Sequence, residues 1–264
     1  MKIGFIGCGN MAQAVIGGIL SKKIFTEDQI FASVKTEASA EKVREKLQIA
    51  CGTENKKVAE GADVLFLAVK PQFLEEVCEE IRPVLTTEQV IISVAAGKKL
   101  EWLEEHLGAD KKIIRAMPNT PALAGAGVTG VCKNDQVPEE DLAQAMEILS
   151  SFGSAKIETE KMLDLVGAVA GSSPAFVFMF IEALADGAVA EGMPRKKAYE
   201  YAASAVYGSA KLMLETGKHP GELKDMVCSP AGTTIEGVST LEAKGMRSAV
   251  MDAVRACIEK TKKL

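Results

Sequence analysis

Histidine is almost missing from this chain, with only His106 and His219, and neither has companions at metal-ligand spacing. A zinc or di-iron centre is therefore not expected, and no metal is assigned. The six cysteines, at 8, 51, 78, 132, 228 and 257, include no Cys-x-x-Cys pair. That scatter offers neither a disulfide framework nor a zinc site and points to reduced thiols in a cytoplasmic protein. A Gly-x-Ser-x-Gly elbow is absent, as is any Cys–His pairing, which leaves acyl transfer without its nucleophile. Basic runs are also lacking apart from Lys260–Lys263, and the net charge is −5, so no nucleic-acid partner is expected. The opening Met1-Lys2-Ile3-Gly4 runs straight into a strand-like segment, without the charged start and apolar run of a secretory signal. Long apolar spans are scarce too. Leu165 to Ile181 is 17 residues without a charge, short of the roughly 20 needed to cross a bilayer. Gly171-Ser172-Ser173-Pro174 interrupts it as a helix break and new start, so two buried helix pieces are expected rather than a membrane span.

What is present is ordinary in total and uneven in distribution. The 264 residues are 47% hydrophobic and 25% charged, within globular averages and enough for one to two domains of roughly 150 residues. Aromatics are only 5%, and all three Tyr, at 199, 201 and 207, lie in the second half. Of 11 Met, seven follow residue 160: Met162, Met179, Met193, Met213, Met226, Met246 and Met251.

The first 160 residues alternate short apolar strands with helical stretches. Strands are expected at Lys2–Ile6, Ile30–Ser33, Gln48–Cys51, Val64–Val69, Val90–Val94, Ile113–Met117, Val128–Cys132 and Ala155–Ile157. Helices are expected at Asn10–Lys22, Ser39–Leu47, Pro71–Ile81, Leu100–Leu107 and Pro138–Ser151, with one more short helix before Val64. Near-continuous apolar runs spaced by helices signify a mostly parallel sheet covered on both faces. After Glu160 the strand signals stop, and Ala-rich stretches follow at Ala175–Glu191, Arg195–Thr216, Ile235–Lys244 and Arg247–Lys262. The fold class is therefore α/β: a Rossmann-type, mostly parallel sheet over residues 1–159 and an all-helical domain over 160–264.

Chemistry concentrates in the loops. Gly7-Cys8-Gly9-Asn10-Met11-Ala12 matches Gly-x-Gly-x-x-Gly/Ala between a strand and a helix. In this motif Gly7 makes the tight turn, Gly9 lets backbone approach a pyrophosphate, and small Ala12 permits close helix–strand packing. Asn10 and Met11 start the helix whose free amides and positive dipole end would meet the phosphates. An NAD site carries an acid at the end of its second strand. Here that position reads Ser33-Val34-Lys35-Thr36, and its hydroxyls and Lys35 suit a 2′-phosphate better, which favours NADPH while leaving NADH open. Two proline-stiffened loops follow strand ends, Ala68-Val69-Lys70-Pro71-Gln72 and Met117-Pro118-Asn119-Thr120-Pro121, and suit a cofactor platform. In the helical half, Ser229-Pro230-Ala231-Gly232-Thr233-Thr234 combines hydroxyls with a helix N-terminus, a fit for a carboxylate or simply a helix cap. His219 reads as a loop residue and Cys228 as a small buried hydrophobe.

Taken together these segments resemble the pyrroline-5-carboxylate reductase family. The similarity is most specific over Pro220–Glu242, and Gly7–Ala12, Ala68–Gln72, Met117–Pro121 and Gly171–Ala175 occur in that family's order. The resemblance implies NAD(P)H-dependent reduction of the ring C=N of 1-pyrroline-5-carboxylate to L-proline, the last step of proline synthesis. It implies that Ser229 and the amides of Gly232, Thr233 and Thr234 hold the substrate carboxylate, with the Thr234 hydroxyl facing the ring nitrogen as the catalytic group. Ser33 and Asn55 fall at positions near the adenosine ribose or its phosphate. Homodimers through interlocked helical domains are implied, often assembled as a ring of five dimers. Ala170, Ser173, Phe176 and Ala231 depart from the residues common at their positions. A protonated cyclic imine is already electrophilic, so orientation worth on the order of 7–11 kcal/mol can carry the reaction without a strong base. Two other readings stay open here. A β-hydroxyacid dehydrogenase would need a Lys where Gly171–Pro174 offers none, and a non-catalytic NADP-sensing protein would leave the Ser229–Thr234 loop without a purpose.

Overall fold

Apolar side chains on successive residues make strands that must be covered on both faces, and the computed structural model shows that arrangement. It describes residues 1–261. Along the chain run β1 (Ile3–Ile6), α1 (Asn10–Ser21), β2 (Ile30–Ser33), α2 (Glu37–Leu47), β3 (Ala50–Gly52), α3 (Asn55–Gly61), β4 (Val64–Leu67), α4 (Leu74–Ile81), β5 (Val90–Ser93), α5 (Leu100–Leu107), β6 (Lys112–Met117), β7 (Gly127–Lys133), α6 (Glu139–Leu149), β8 (Gly153–Ile157) and α7 (Glu160–Val166). The strands form one eight-stranded sheet of order β3-β2-β1-β4-β5-β6-β7-β8. Ile3 stands beside Ile30 on one side and Val64 on the other, in parallel register. Among the described residues the pair β6–β7 alone is antiparallel, because a short connection replaces the crossover that parallel strands need. Every residue of β1, β4 and β5 is buried.

Alternation along each strand divides the core between the two faces. Ile3 and Phe5 pack with Ile16, Phe66 and Ile148 on one side, and the Phe5 and Phe66 rings stack at 4.6 Å. Ile6, Leu65 and Leu67 pack with Leu74, Ile81 and Leu103 on the other. Helix α2 starts at Glu37, ahead of the expected Ser39, because the Thr36 side chain caps it by accepting from Ser39 N. The expected strand at Gln48 starts only at Ala50, since Gln48 closes α2 with φ of 57°.

The second unit is helical: α8 (Ser173–Ala190), α9 (Arg195–Thr216), α10 (Pro220–Val227), α11 (Thr233–Ala243) and α12 (Met246–Thr261). Lys262, expected to end the last helix, lies outside the described residues. Small residues let α8 and α9 approach, with Ala185, Ala198 and Ala202 buried together. Asp186 pairs with Arg195, whose guanidinium lies 5.4 Å from the Tyr199 ring centroid. Most other apolar side chains of this unit are exposed in the single chain, Leu214 at 83% and Met179 at 68% among them. The two helix pieces expected to be buried around Leu165–Ile181 are therefore largely uncovered.

The compact units divide between Ser172 and Ser173. Helix α7 stays with the sheet because Leu163 packs against Met117 and Cys132. It also supplies Asp164 at 2.8 Å and Glu160 at 3.3 Å to Arg115, which is fully buried on β6. The expected helix break at Gly171–Pro174 is instead a π-helical turn, Gly167–Ser172, leading directly into α8. Pro174 has no N–H to give to the carbonyl four residues back, which belongs to Ala170. Asn119 Nδ2 donates to that carbonyl at 3.0 Å, so the helix loses no hydrogen-bond partner there.

Arg115 also predicts a measurable stability effect. Arg115→Met strands two partly buried carboxylates without their cation, at a cost of about 3 kcal/mol. A lower urea midpoint at unchanged slope is the expected result.

Candidate functional site

Three strand ends meet at the β1–α1 turn. Gly7 N donates to Ser33 O at 2.9 Å, and Ala68 N donates to Ile6 O at 2.8 Å. Gly7 has φ of 86°, and a Cβ on it would stand 2.8 Å from the Ala68 carbonyl oxygen. Only glycine meets both demands. Gly9 caps α1 in extended conformation with open space around it, and α1 has neither a side-chain cap nor an acid in its first turn. The first-turn amides of Asn10, Met11 and Ala12 are thus without a side-chain cap. Ala12 is buried against the sheet, as the motif requires. Beneath the turn, burial pushes the Cys8 thiol up to about 12.

A cavity of about 180 Å³ opens beside this turn, and it brings together Gly7, Ser33, Lys35, Asn55 and Val69. Ser33 ends β2 fully buried, and its hydroxyl donates to Asn55 Oδ1 at 2.7 Å. Asn55 is the first residue of α3, and its Nδ2 donates to Glu80 Oε2 at 2.7 Å. The Lys35 ammonium lies 5.3 Å from the Phe73 ring centroid, within cation–π range. Phe73 ends the 3-10 turn Pro71–Phe73, which follows Lys70.

Thr53, Phe73, Glu76 and Glu80 also line the cavity and were not expected there. The signal for the two acids was present: Leu74, Val77, Cys78 and Ile81 bury one face of α4, and Glu76 and Glu80, four apart, share another. Asn119 and Thr120 are not among the cavity's lining residues. Asn119 is buried, with Oδ1 accepting from Val128 N at 2.9 Å and Nδ2 committed to Ala170. Thr120 is exposed at the start of a 3-10 turn, Thr120–Ala124.

In the helical unit, Ser229, Pro230, Ala231 and Gly232 form a tight turn closed by Gly232 N donating to Ser229 O at 3.0 Å. Ala231 holds φ of 56°, and Gly232 caps α11 without a side-chain cap bond. A Cβ on Gly232 would overlap the Ser229 hydroxyl, 2.3 Å away. Thr233 and Thr234 fall inside the first turn of α11, earlier than the expected start near Ile235. One turn thus gathers three hydroxyls, of Ser229, Thr233 and Thr234, and the amides of a helix N-terminus, with its positive dipole end. His219 caps α10, accepting from Gly221 N at 3.1 Å, and Cys228 is half-buried rather than buried.

Strand order 3-2-1-4-5-6, a glycine turn on the first strand and a cavity at the carboxyl ends of the strands define a Rossmann-type dinucleotide-binding protein. Comparisons with known proteins make the family specific. The family described as pyrroline-5-carboxylate reductase dimerisation matches residues 160–264, and that described as NADP oxidoreductase, coenzyme F420-dependent, matches residues 2–97. The chain is 50% identical over 263 residues to pyrroline-5-carboxylate reductase of Escherichia coli K12, covering 100% of this chain and 98% of that one. Identity to the Methanosarcina acetivorans enzyme of the same name is 44%, over 100% and 97%. The crystal structure of Plasmodium falciparum pyrroline carboxylate reductase with NADP bound superposes with a TM-score of 0.91 at 31% identity, covering 100% and 97%. The chain belongs to the pyrroline-5-carboxylate reductase family.

The turn before α11 carries a local test. Left-handed backbone at a residue with a Cβ costs roughly 1–2 kcal/mol. Ala231→Gly is therefore expected to raise stability by about 0.5–1 kcal/mol after the entropy lost by glycine, read by thermal and urea denaturation.

Proposed function

We propose that the chain reduces 1-pyrroline-5-carboxylate to L-proline with NADPH as preferred donor and NADH as a usable one. The observation that carries this reading is one chain holding both the uncapped Gly7–Ala12 helix start and the Ser229–Thr234 turn. Full-length similarity to reductases of that name supports it. The residues fit the cofactor: the cradle at Gly7 would be filled by any Cβ, and the α1 amides are free.

In this reading Gly7, Gly9 and the amides of Asn10, Met11 and Ala12 take the pyrophosphate. Ser33 and Asn55 lie beside the adenosine ribose, and Lys35 takes its 2′-phosphate. Ala68, Val69, Lys70 and Pro71, with Asn119 and Thr120, border the rest of the dinucleotide from the ends of β4 and β6. NADPH, when bound, supplies the hydride that converts C=N to C–NH. Ser229 and the amides of Gly232, Thr233 and Thr234 hold the substrate carboxylate at the positive end of α11. The Thr234 hydroxyl hydrogen-bonds the ring nitrogen and fixes the ring plane. Fixing the geometry is the main catalytic contribution, because the protonated imine needs no stronger activation.

The exposed apolar surface of the helical unit supports a homodimer, as does its match to the dimerisation family. A ring of five such dimers is the larger assembly we propose. Interspersed charge with a net of −5 supports neither nucleic acid nor membrane as partner, and the six free thiols support a cytoplasmic setting.

Purified protein supplied with 1-pyrroline-5-carboxylate is expected to oxidise NADPH faster than NADH at equal concentration. No oxidation of either would sink the assignment. Thr234→Ala is expected to lower kcat by roughly ten- to hundred-fold while the Kd for NADPH, followed by fluorescence titration, holds. Equal loss in both quantities would remove Thr234 from the chemistry.

A further inference from the structure

An NAD-binding Rossmann unit carries its ribose-binding acid at the end of the second strand, and here β2 ends in Ser33-Val34-Lys35. An acid reaches the same cavity from another element. Glu80, near the end of α4, accepts a 2.7 Å hydrogen bond from Asn55 Nδ2, and Asn55 Oδ1 accepts one of 2.7 Å from the Ser33 hydroxyl. All three residues line the cavity, together with Lys35 and Glu76.

The direction of this relay follows from its last member. A carboxylate only accepts, so the Asn55 amide nitrogen turns to Glu80 and its oxygen to Ser33. Ser33 then gives its single O–H proton to Asn55 and faces the cavity with lone pairs alone. A 2′-phosphate dianion also brings acceptors alone, so Ser33 in this state offers it nothing. A 2′-hydroxyl can donate and finds an acceptor waiting. Lys35 attracts the phosphate, while the Glu80 charge opposes it.

We infer that Glu80 sets the balance between 2′-phosphorylated and 2′-hydroxyl dinucleotides, by polarising the Asn55–Ser33 relay and by placing negative charge in the cavity opposite Lys35. Glu80 is a positioning and specificity residue that keeps the unphosphorylated cofactor usable in a site otherwise suited to the phosphorylated one. This rests on the reading of the cavity as the adenosine end of the cofactor site.

The experiment is calorimetric titration of the full chain with adenosine 2′,5′-bisphosphate and with AMP, which needs no turnover. In Glu80→Gln the amide oxygen still accepts from Asn55 but the charge is gone. The affinity ratio of bisphosphate to AMP is expected to rise roughly three- to ten-fold. Glu80→Asp keeps the charge, and its ratio is expected not to rise. An unchanged ratio in Glu80→Gln, or an equal rise in Glu80→Asp, overturns the inference. Failure of the unmodified protein to bind either nucleotide overturns the cofactor-site reading beneath it.

Discussion

The turn after β1 exists because three parallel strands end close enough for their backbones to bond across. Gly7 reaches the last carbonyl of β2, and Ala68, just past β4, reaches the last carbonyl of β1. That closeness leaves no room for a side chain at position 7. It also brings Ser33, Asn55 and Val69, which are far apart in sequence, to one cavity. The burial of β1, β4 and β5 holds the strand ends in register, so core packing and site geometry are one constraint seen at two scales.

The helical unit obeys a different rule. Its internal contacts run through alanines, which bring α8 and α9 together while burying little area. Its larger apolar side chains point away from that seam. A helix apolar on most of its circumference is normally enclosed, and in the single chain these side chains stand exposed. Methionine suits such a surface, since an unbranched side chain adapts to the shape it meets.

How much of this was legible depended on how local the cause was. The strand at Ile30–Ser33 and the helix at Leu100–Leu107 follow from contiguous residues and match the structure in their bounds, and the Gly7–Ala12 turn falls between β1 and α1. The tie of α7 to Arg115, a partner 45 residues distant along the chain, is recorded by no composition shift. Gly171-Ser172-Ser173-Pro174 has the local signs of a break. The helix persists because Asn119, on another element, supplies the donor that Pro174 lacks. The same bonds commit the Asn119 side chain, in a loop suited to a cofactor, within the fold. For Glu80 the α4 pattern shows the face it shares with Glu76, but its tie to Asn55, 25 residues away on α3, is not local.

Cys8 sits inside the phosphate-binding motif in the place of a variable residue, facing the core beneath α1. Were it ionised, a thiolate would stand under the helix start and cancel part of the dipole that draws an anion there. Burial instead pushes its pKa up to about 12. Polarity at the turn is then written by peptide groups, which do not titrate. Across the neutral range the Cys8 thiol therefore adds no charge of its own to the place where an anion would be held.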